Sequence, residues 1–169
     1  MKRNTTLILL VAAALVAAVV AGCGGNDNTA TASSSQSGSG SHTIAVSDNG
    51  NLGKILVDSK GRSVYLFEKD TGPKSTCSGG CATEWPPVTT TGKPTAGSGL
   101  TASMVGTTTR SDGTKQVSYN GHPLYTYVGD AKAGDTNGQN VNAFGAEWHV
   151  LSPTGSKVTG MGSGSGSGY

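Results

Sequence analysis

The chain has 169 residues, of which 34% are hydrophobic and 27 are glycine, and it carries 12 Lys and Arg against 10 Asp and Glu. Two of the cations, Lys2 and Arg3, stand at the extreme N-terminus; without them 10 positive charges face 10 negative ones. No basic run or stripe remains, which argues against nucleic acid as a partner.

Residues 1–22 read as a targeting segment. Lys2 and Arg3 precede an apolar run from Thr6 to Val20, which ends in Val20-Ala21-Gly22-Cys23. Small residues before a cysteine, directly after such a run, form a lipobox-type signal. Cleavage is expected before Cys23, which then carries lipid, palmitate included, on its sulfur and its new amino group. The apolar run is shorter than a comfortable membrane span. The expected address is extracytoplasmic, anchored to a bacterial cell membrane through Cys23. Export also places the remaining thiols in an oxidising compartment.

Residues 23–41 are the lipidated end and a tether rich in Ser, Gly, Thr, Ala and Asn. Such a segment buries too little apolar surface to fold. Residues 160–169 are Gly-Ser alternation of the same kind. What lies between, residues 42–159, is about 120 residues, enough for one domain with one core.

No stretch of this region carries helical periodicity of useful length. Short apolar runs alternate with Gly, Asn, Asp and Ser, a β signature. Thr43 to Ser47, Lys54 to Asp58 and Arg62 to Phe67 are the first three predicted strands, with Asn49-Gly50 and Lys60-Gly61 in the turns. Both faces of Val64-Tyr65-Leu66-Phe67 are apolar, so that strand should be central or sandwiched. Met104 to Arg110, Lys115 to Tyr119 and Pro123 to Val128 form a second set, joined by Ser111-Asp112-Gly113-Thr114 and Asn120-Gly121. Asn-Gly accepts the positive φ of a type I′ turn, and Pro123 suits the first position of a strand.

The two sets are copies. Tyr65-Leu66-Phe67-Glu68-Lys69-Asp70 and Tyr125-Thr126-Tyr127-Val128-Gly129-Asp130 share a Tyr-x-aromatic-x-x-Asp pattern, and Glu84-Trp85 and Glu147-Trp148 trail them. A repeat with matched turns and aromatics fixes the architecture. The expected fold is all-β: two tandem meanders, repeat one over about 42–99 and repeat two over about 100–159, packed as a small sandwich or a barrel.

Several residues invite a chemical reading. Cys77 and Cys81 sit in Lys74-Ser75-Thr76-Cys77-Ser78-Gly79-Gly80-Cys81, where the glycines permit a tight turn. They are either a disulfide staple, or a redox or copper pair assisted by His122 and His149. Neither a Cys-x-x-Cys-His nor a thioredoxin-like Cys-x-x-Cys is present. Asp70 and Asp130 follow strands and are expected to accept backbone N–H bonds and fix the next loops. Asp130, Asp135, Asn137 and Asn140 alternatively offer oxygens to calcium, without the EF-hand spacing. Tyr65, Phe67, Tyr125, Tyr127, Trp85 and Trp148 are expected in the core, with Trp85, beside Pro86-Pro87, the one to be exposed. No nucleophile elbow, His-Glu-x-x-His helix or phosphate loop occurs.

The hexapeptides, together with Cys77-Ser78-Gly79-Gly80-Cys81-Ala82, Trp85-Pro86-Pro87 and Gly129-Asp130, resemble the secreted-repeat lipoproteins of unknown function, predicted lipoproteins with a Yx(FWY)xxD motif. The resemblance covers nearly all of the folded region. It implies a bacterial envelope lipoprotein and brings no mechanism with it. The expectation from the sequence is therefore a non-enzymatic binding or structural module without catalytic residues or cofactor. The alternative is an extracytoplasmic redox, electron-transfer or copper-handling protein built on Cys77 and Cys81.

Overall fold

A computed structural model describes residues 43–160. The targeting segment, Cys23, the tether and the last nine residues lie outside the described residues. Within them the chain is all-β, built from three small antiparallel sheets with one short helix and one turn of 3-10 helix.

Each repeat opens on a hairpin. In repeat one, β1 (Ile44–Asp48) pairs with β2 (Lys54–Asp58), from Ile44 opposite Asp58 to Asp48 opposite Lys54. In repeat two, β4 (Val105–Thr109) pairs with β5 (Lys115–Tyr119), and β5 pairs with β6 (His122–Pro123). The Asn120-Gly121 turn has φ of 49° and 83°, the double positive φ that only such residues accept readily. These hairpins follow the sequence reading closely.

The third strands depart from it. The segment after Lys60-Gly61 pairs with β2 only as far as Val64, whose N–H donates to Leu56 at 3.1 Å. Then β3 (Tyr65–Phe67) leaves its own hairpin and pairs with β8 (Ala146–Val150) of repeat two, which also pairs with β7 (Val141–Ala143). Repeat two behaves alike. Leu124 donates to Val117, and Tyr125 then bridges to Tyr65 and to Pro87 of repeat one. The expected strands Arg62 to Phe67 and Pro123 to Val128 are thus each split between two partners.

The exchange is reciprocal. Val117 donates to Val88 at 2.8 Å, and Leu56 donates to Leu151 at 2.9 Å. Val128 donates to Glu84, and Glu68 donates to Glu147, both at 3.0 Å. Each repeat therefore sends the segment after its Glu-Trp to the other repeat's hairpin. At the crossing point Tyr65 and Tyr125 exchange both backbone bonds, at 2.8 and 3.0 Å. The two repeats are related by a pseudo-twofold axis through this pair. The sheets do not close into a barrel among the described residues, so the arrangement is sandwich-like.

Period-two alternation explains the core. Ile55, Val57, Tyr65 and Phe67 face one apolar cluster, while Leu56, Val64 and Leu66 face another with Val117, Tyr119, Leu124 and Leu151. β2 and β3 are buried on both faces, as the apolar run Val64 to Phe67 requires.

Candidate functional site

The repeat motif assembles into one symmetric inter-repeat core. Trp85 and Trp148 lie face to face across the pseudo-twofold, with ring centroids 3.9 Å apart and planes 6° apart. Phe67 stacks on Trp148 at 4.1 Å, and Tyr127 stacks on Trp85 at 4.3 Å. The result is a column of four rings. Tyr65 packs edge-on against Trp85, and Tyr125 edge-on against Trp148. Gly138 closes over this column: a Cβ there would stand 2.7 Å from the Trp85 ring.

The hydroxyls then cross. Tyr65 donates to Asp130 at 2.7 Å, and Tyr125 donates to Asp70 at 2.6 Å. The other oxygen of each aspartate accepts a backbone N–H, from Thr76 at 2.7 Å for Asp70 and from Asn137 at 2.9 Å for Asp130. Each motif's tyrosine is therefore held by the other motif's aspartate, and each aspartate fixes the loop that follows it. Burial, then Asp130, pushes the Tyr65 hydroxyl far above its ordinary range; burial, then Asp70, does the same to Tyr125. Burial also raises Asp130 to about 6 from 3.8, against the lowering effect of Tyr65 and Asn137.

Trp85 is fully buried, which corrects the expectation that it is the exposed aromatic. Pro86-Pro87 does not mark an irregular surface segment; it starts the exchanged strand, with Pro87 opposite Tyr125.

Cys77 and Cys81 are joined as a disulfide, with Cα atoms 5.3 Å apart. They bracket the start of α1 (Gly80–Glu84), a helix that the sequence reading did not anticipate. Arg110 locks this loop. Its guanidinium is buried and donates to the Cys77 carbonyl, the Ser75 hydroxyl and the Gln116 side-chain oxygen at 2.7–2.8 Å. Repeat two has no cysteines at the matching place; Asp135 there accepts from Ala131 and Lys132. Asp130 and Asp135 are thus engaged by backbone N–H groups and Asn140 turns to His149, so the oxygens considered for calcium are not gathered.

The copper set is not gathered either. The cysteines are bonded to each other, and His122, in β6, lines an open cleft of about 580 Å³ with Phe67, Thr71, Asn120, Glu68 and Lys157. His149 lies in β8 and meets different partners. Its Nε2 is 3.2 Å from Glu147 and 3.5 Å from Glu68, and its Nδ1 is 3.0 Å from the Asn140 side-chain oxygen. Among the described residues, Glu68, Glu147 and His149 are the histidine, cysteine and acidic side chains that converge on one point. Lys157 binds Glu68, holding the Glu68 carboxyl below and its own ammonium above the usual values.

A family model described as a secreted repeat of unknown function matches the chain twice, over residues 46–89 and 106–152. The chain belongs to this family. The two matches correspond to the two halves of the exchanged fold, and the chain is accordingly an extracytoplasmic protein. No curated protein and no solved structure matches it. Among the described residues of this secreted repeat no helix is long and apolar enough to cross a membrane.

Sequence reasoning named Tyr65, Phe67, Asp70, Tyr125, Tyr127 and Asp130, and the structure brings all six together. It assigned no role to Arg110, Glu68 or Glu147, and it considered Asn140 for calcium where the structure turns it to His149. Arg110, just past the end of β4, carries no local mark of its burial. Only the pairing of β3 with β8 brings Glu68 beside Glu147 and His149.

Proposed function

We propose that this secreted repeat is a membrane-anchored envelope lipoprotein, held by lipid on Cys23, whose β domain is a non-enzymatic binding or structural module. The observation that carries the reading is the closure of the motif on itself. The hydroxyls of Tyr65 and Tyr125 and both aspartates of the two hexapeptides are bonded to the opposite repeat or to their own loop. A catalytic pair needs an atom left over to meet a substrate. Here the motif residues hold two half-domains together, which suits a rigid module carried at the end of a tether. The cysteine loop fits the same reading. With both sulfurs bonded to each other, it offers no thiolate to copper.

Two measurements test this. Palmitate labelling and detergent partitioning should place the intact chain in the membrane fraction, and Cys23→Ser should abolish labelling and release it. Membrane retention of the unlabelled Cys23→Ser chain overturns the lipid anchor. For the module, Tyr125→Phe should lower stability and binding of an envelope component together. An enzymatic turnover abolished by Tyr125→Phe at an unchanged melting temperature overturns the non-enzymatic reading.

A further inference from the structure

We infer that Glu68, Glu147 and His149 form a binding site for a divalent transition-metal ion of the zinc class, open on its fourth side toward the His122 cleft. The site goes beyond the module proposed above and does not depend on the lipid anchor.

The first observation is the orientation of the imidazole. His149 is 3% exposed, and its Nε2 has no hydrogen-bond partner. Asn140 fixes which ring nitrogen is the donor. The Asn140 side-chain oxygen already accepts from Gln139 at 3.1 Å, and its amide nitrogen donates to the Gly160 carbonyl at 3.2 Å. The amide cannot turn without losing both. The 3.0 Å contact with His149 is then an Nδ1–H donated to oxygen. In the neutral ring this leaves the Nε2 lone pair aimed at two carboxylates. Three electron-rich atoms that face one another call for a positive charge among them, which a proton, the Lys157 ammonium or a metal ion can supply. A histidine that donates Nδ1–H to a fixed oxygen and presents Nε2 is also the usual posture of a metal ligand.

The second observation is spacing. All three ligand atoms lie within 4.8 Å of one another. Two of the edges are 3.2 Å, from Nε2 to Glu147, and 3.5 Å, from Nε2 to Glu68. A tetrahedral zinc with bonds of about 2.0–2.1 Å separates its donors by about 3.3–3.5 Å. One imidazole with two carboxylates is a zinc-type donor set, and the nitrogen disfavours calcium and magnesium. Three protein ligands leave one position for water or a ligand, and Glu68 lines the cleft on that side.

The third observation is asymmetry. The backbone bonds that relate the repeats match Glu68 with Val128 and Glu147 with Glu84. Val128 is exposed and cannot ligate, and Pro86 follows Trp85 where His149 follows Trp148. The related place, formed by Val128, Glu84 and Pro86, folds the same way and keeps only the glutamate of the three groups. The cluster is therefore an addition to the shared architecture. Lys157, half exposed and bound to Glu68, supplies the positive charge when no ion is present and has to swing away when one binds.

The test is zinc titration of the full chain by calorimetry, with cobalt as the spectroscopic probe. One ion per chain should bind, and cobalt should give the strong visible absorption of a tetrahedral centre. Glu68→Gln and Glu147→Gln, both on exposed side chains, should each weaken zinc by more than about tenfold without unfolding. Lys157→Met should tighten it, because a competing cation is removed. His149→Ala is informative only alongside those variants, since its ring is buried. Binding that neither glutamine variant weakens, or that Lys157→Met leaves unchanged, overturns the site and leaves the cluster as an ion-pair network. Absence of saturable binding overturns it outright.

Discussion

Tyr65 and Tyr125 are held by a charged acceptor from the other repeat, and the cost of losing either bond sets how strongly the repeats are coupled. A buried hydrogen bond to an ionised partner is worth about 1.5–3 kcal/mol. Tyr125→Phe should destabilise by about that much, and a double-mutant cycle with Asp70→Asn should return a coupling of similar size. A cycle that closes to zero means the 2.6 Å bond contributes nothing net. Asp130 adds a pH signature. Its carboxyl is raised to about 6 from 3.8 by burial, with Asp135 adding to the rise. A raised folded-state value means the fold prefers the protonated form. That contribution is complete below the unfolded value of 3.8 and is lost as pH rises through about 6. Asp130→Asn removes the titration. The melting-temperature advantage of the wild type over Asp130→Asn should therefore be larger near pH 4 than near pH 7, and a constant difference contradicts the raised value.

At the scale of elements, the cysteine loop is a staple on one of two equivalent loops. The disulfide closes a four-residue separation, worth about 2 kcal/mol on the chain-entropy account. Arg110 grips the same loop through the Cys77 carbonyl, and repeat two manages without cysteines. Cys77→Ser with Cys81→Ser should thus lower the unfolding free energy by about 2 kcal/mol at an unchanged denaturant slope, with the fold kept. A collapsed slope or loss of the native spectrum marks the loop as part of the core instead. The elements also show what a sequence can and cannot disclose. β2 and β5 were legible to the residue, because Gly-containing turns bracket them on both sides. β3 and β6 were not. Tyr65 and Tyr125 abandon their own hairpins for each other, and that long-range pairing leaves no local periodicity. Trp85 was misjudged for the same reason: two prolines look like a surface break unless the stacking partner, Trp148, is known. The six motif residues were legible as a group, since repetition marks them. Glu68, Glu147 and Arg110 were silent, and Asn140 was read for calcium and not for His149, because their roles arise only from contacts between segments far apart in sequence.

For the whole molecule, the exchange makes each repeat incomplete alone. The hairpin β1–β2 receives Leu151 from repeat two, and the hairpin β4–β5 receives Val88 from repeat one. The four-ring column takes Phe67 and Trp85 from one repeat and Tyr127 and Trp148 from the other. A separated repeat would expose half the column, with no acceptor for its tyrosine and one oxygen of its aspartate left without the tyrosine donor. An isolated two-stranded hairpin is marginal in water, and a repeat of this size has little other core. Fragments 43–99 and 100–160 should each be unfolded by circular dichroism and by amide dispersion. Mixed, they should recover the native spectrum, because every inter-repeat contact can reform without the connection between residues 99 and 100. The intact chain should unfold in one transition, with the near-ultraviolet signal of the tryptophan stack lost together with the backbone signal. Independent folding of either fragment, or two separated transitions in the intact chain, means that the hairpins and not the crossed motif carry the stability.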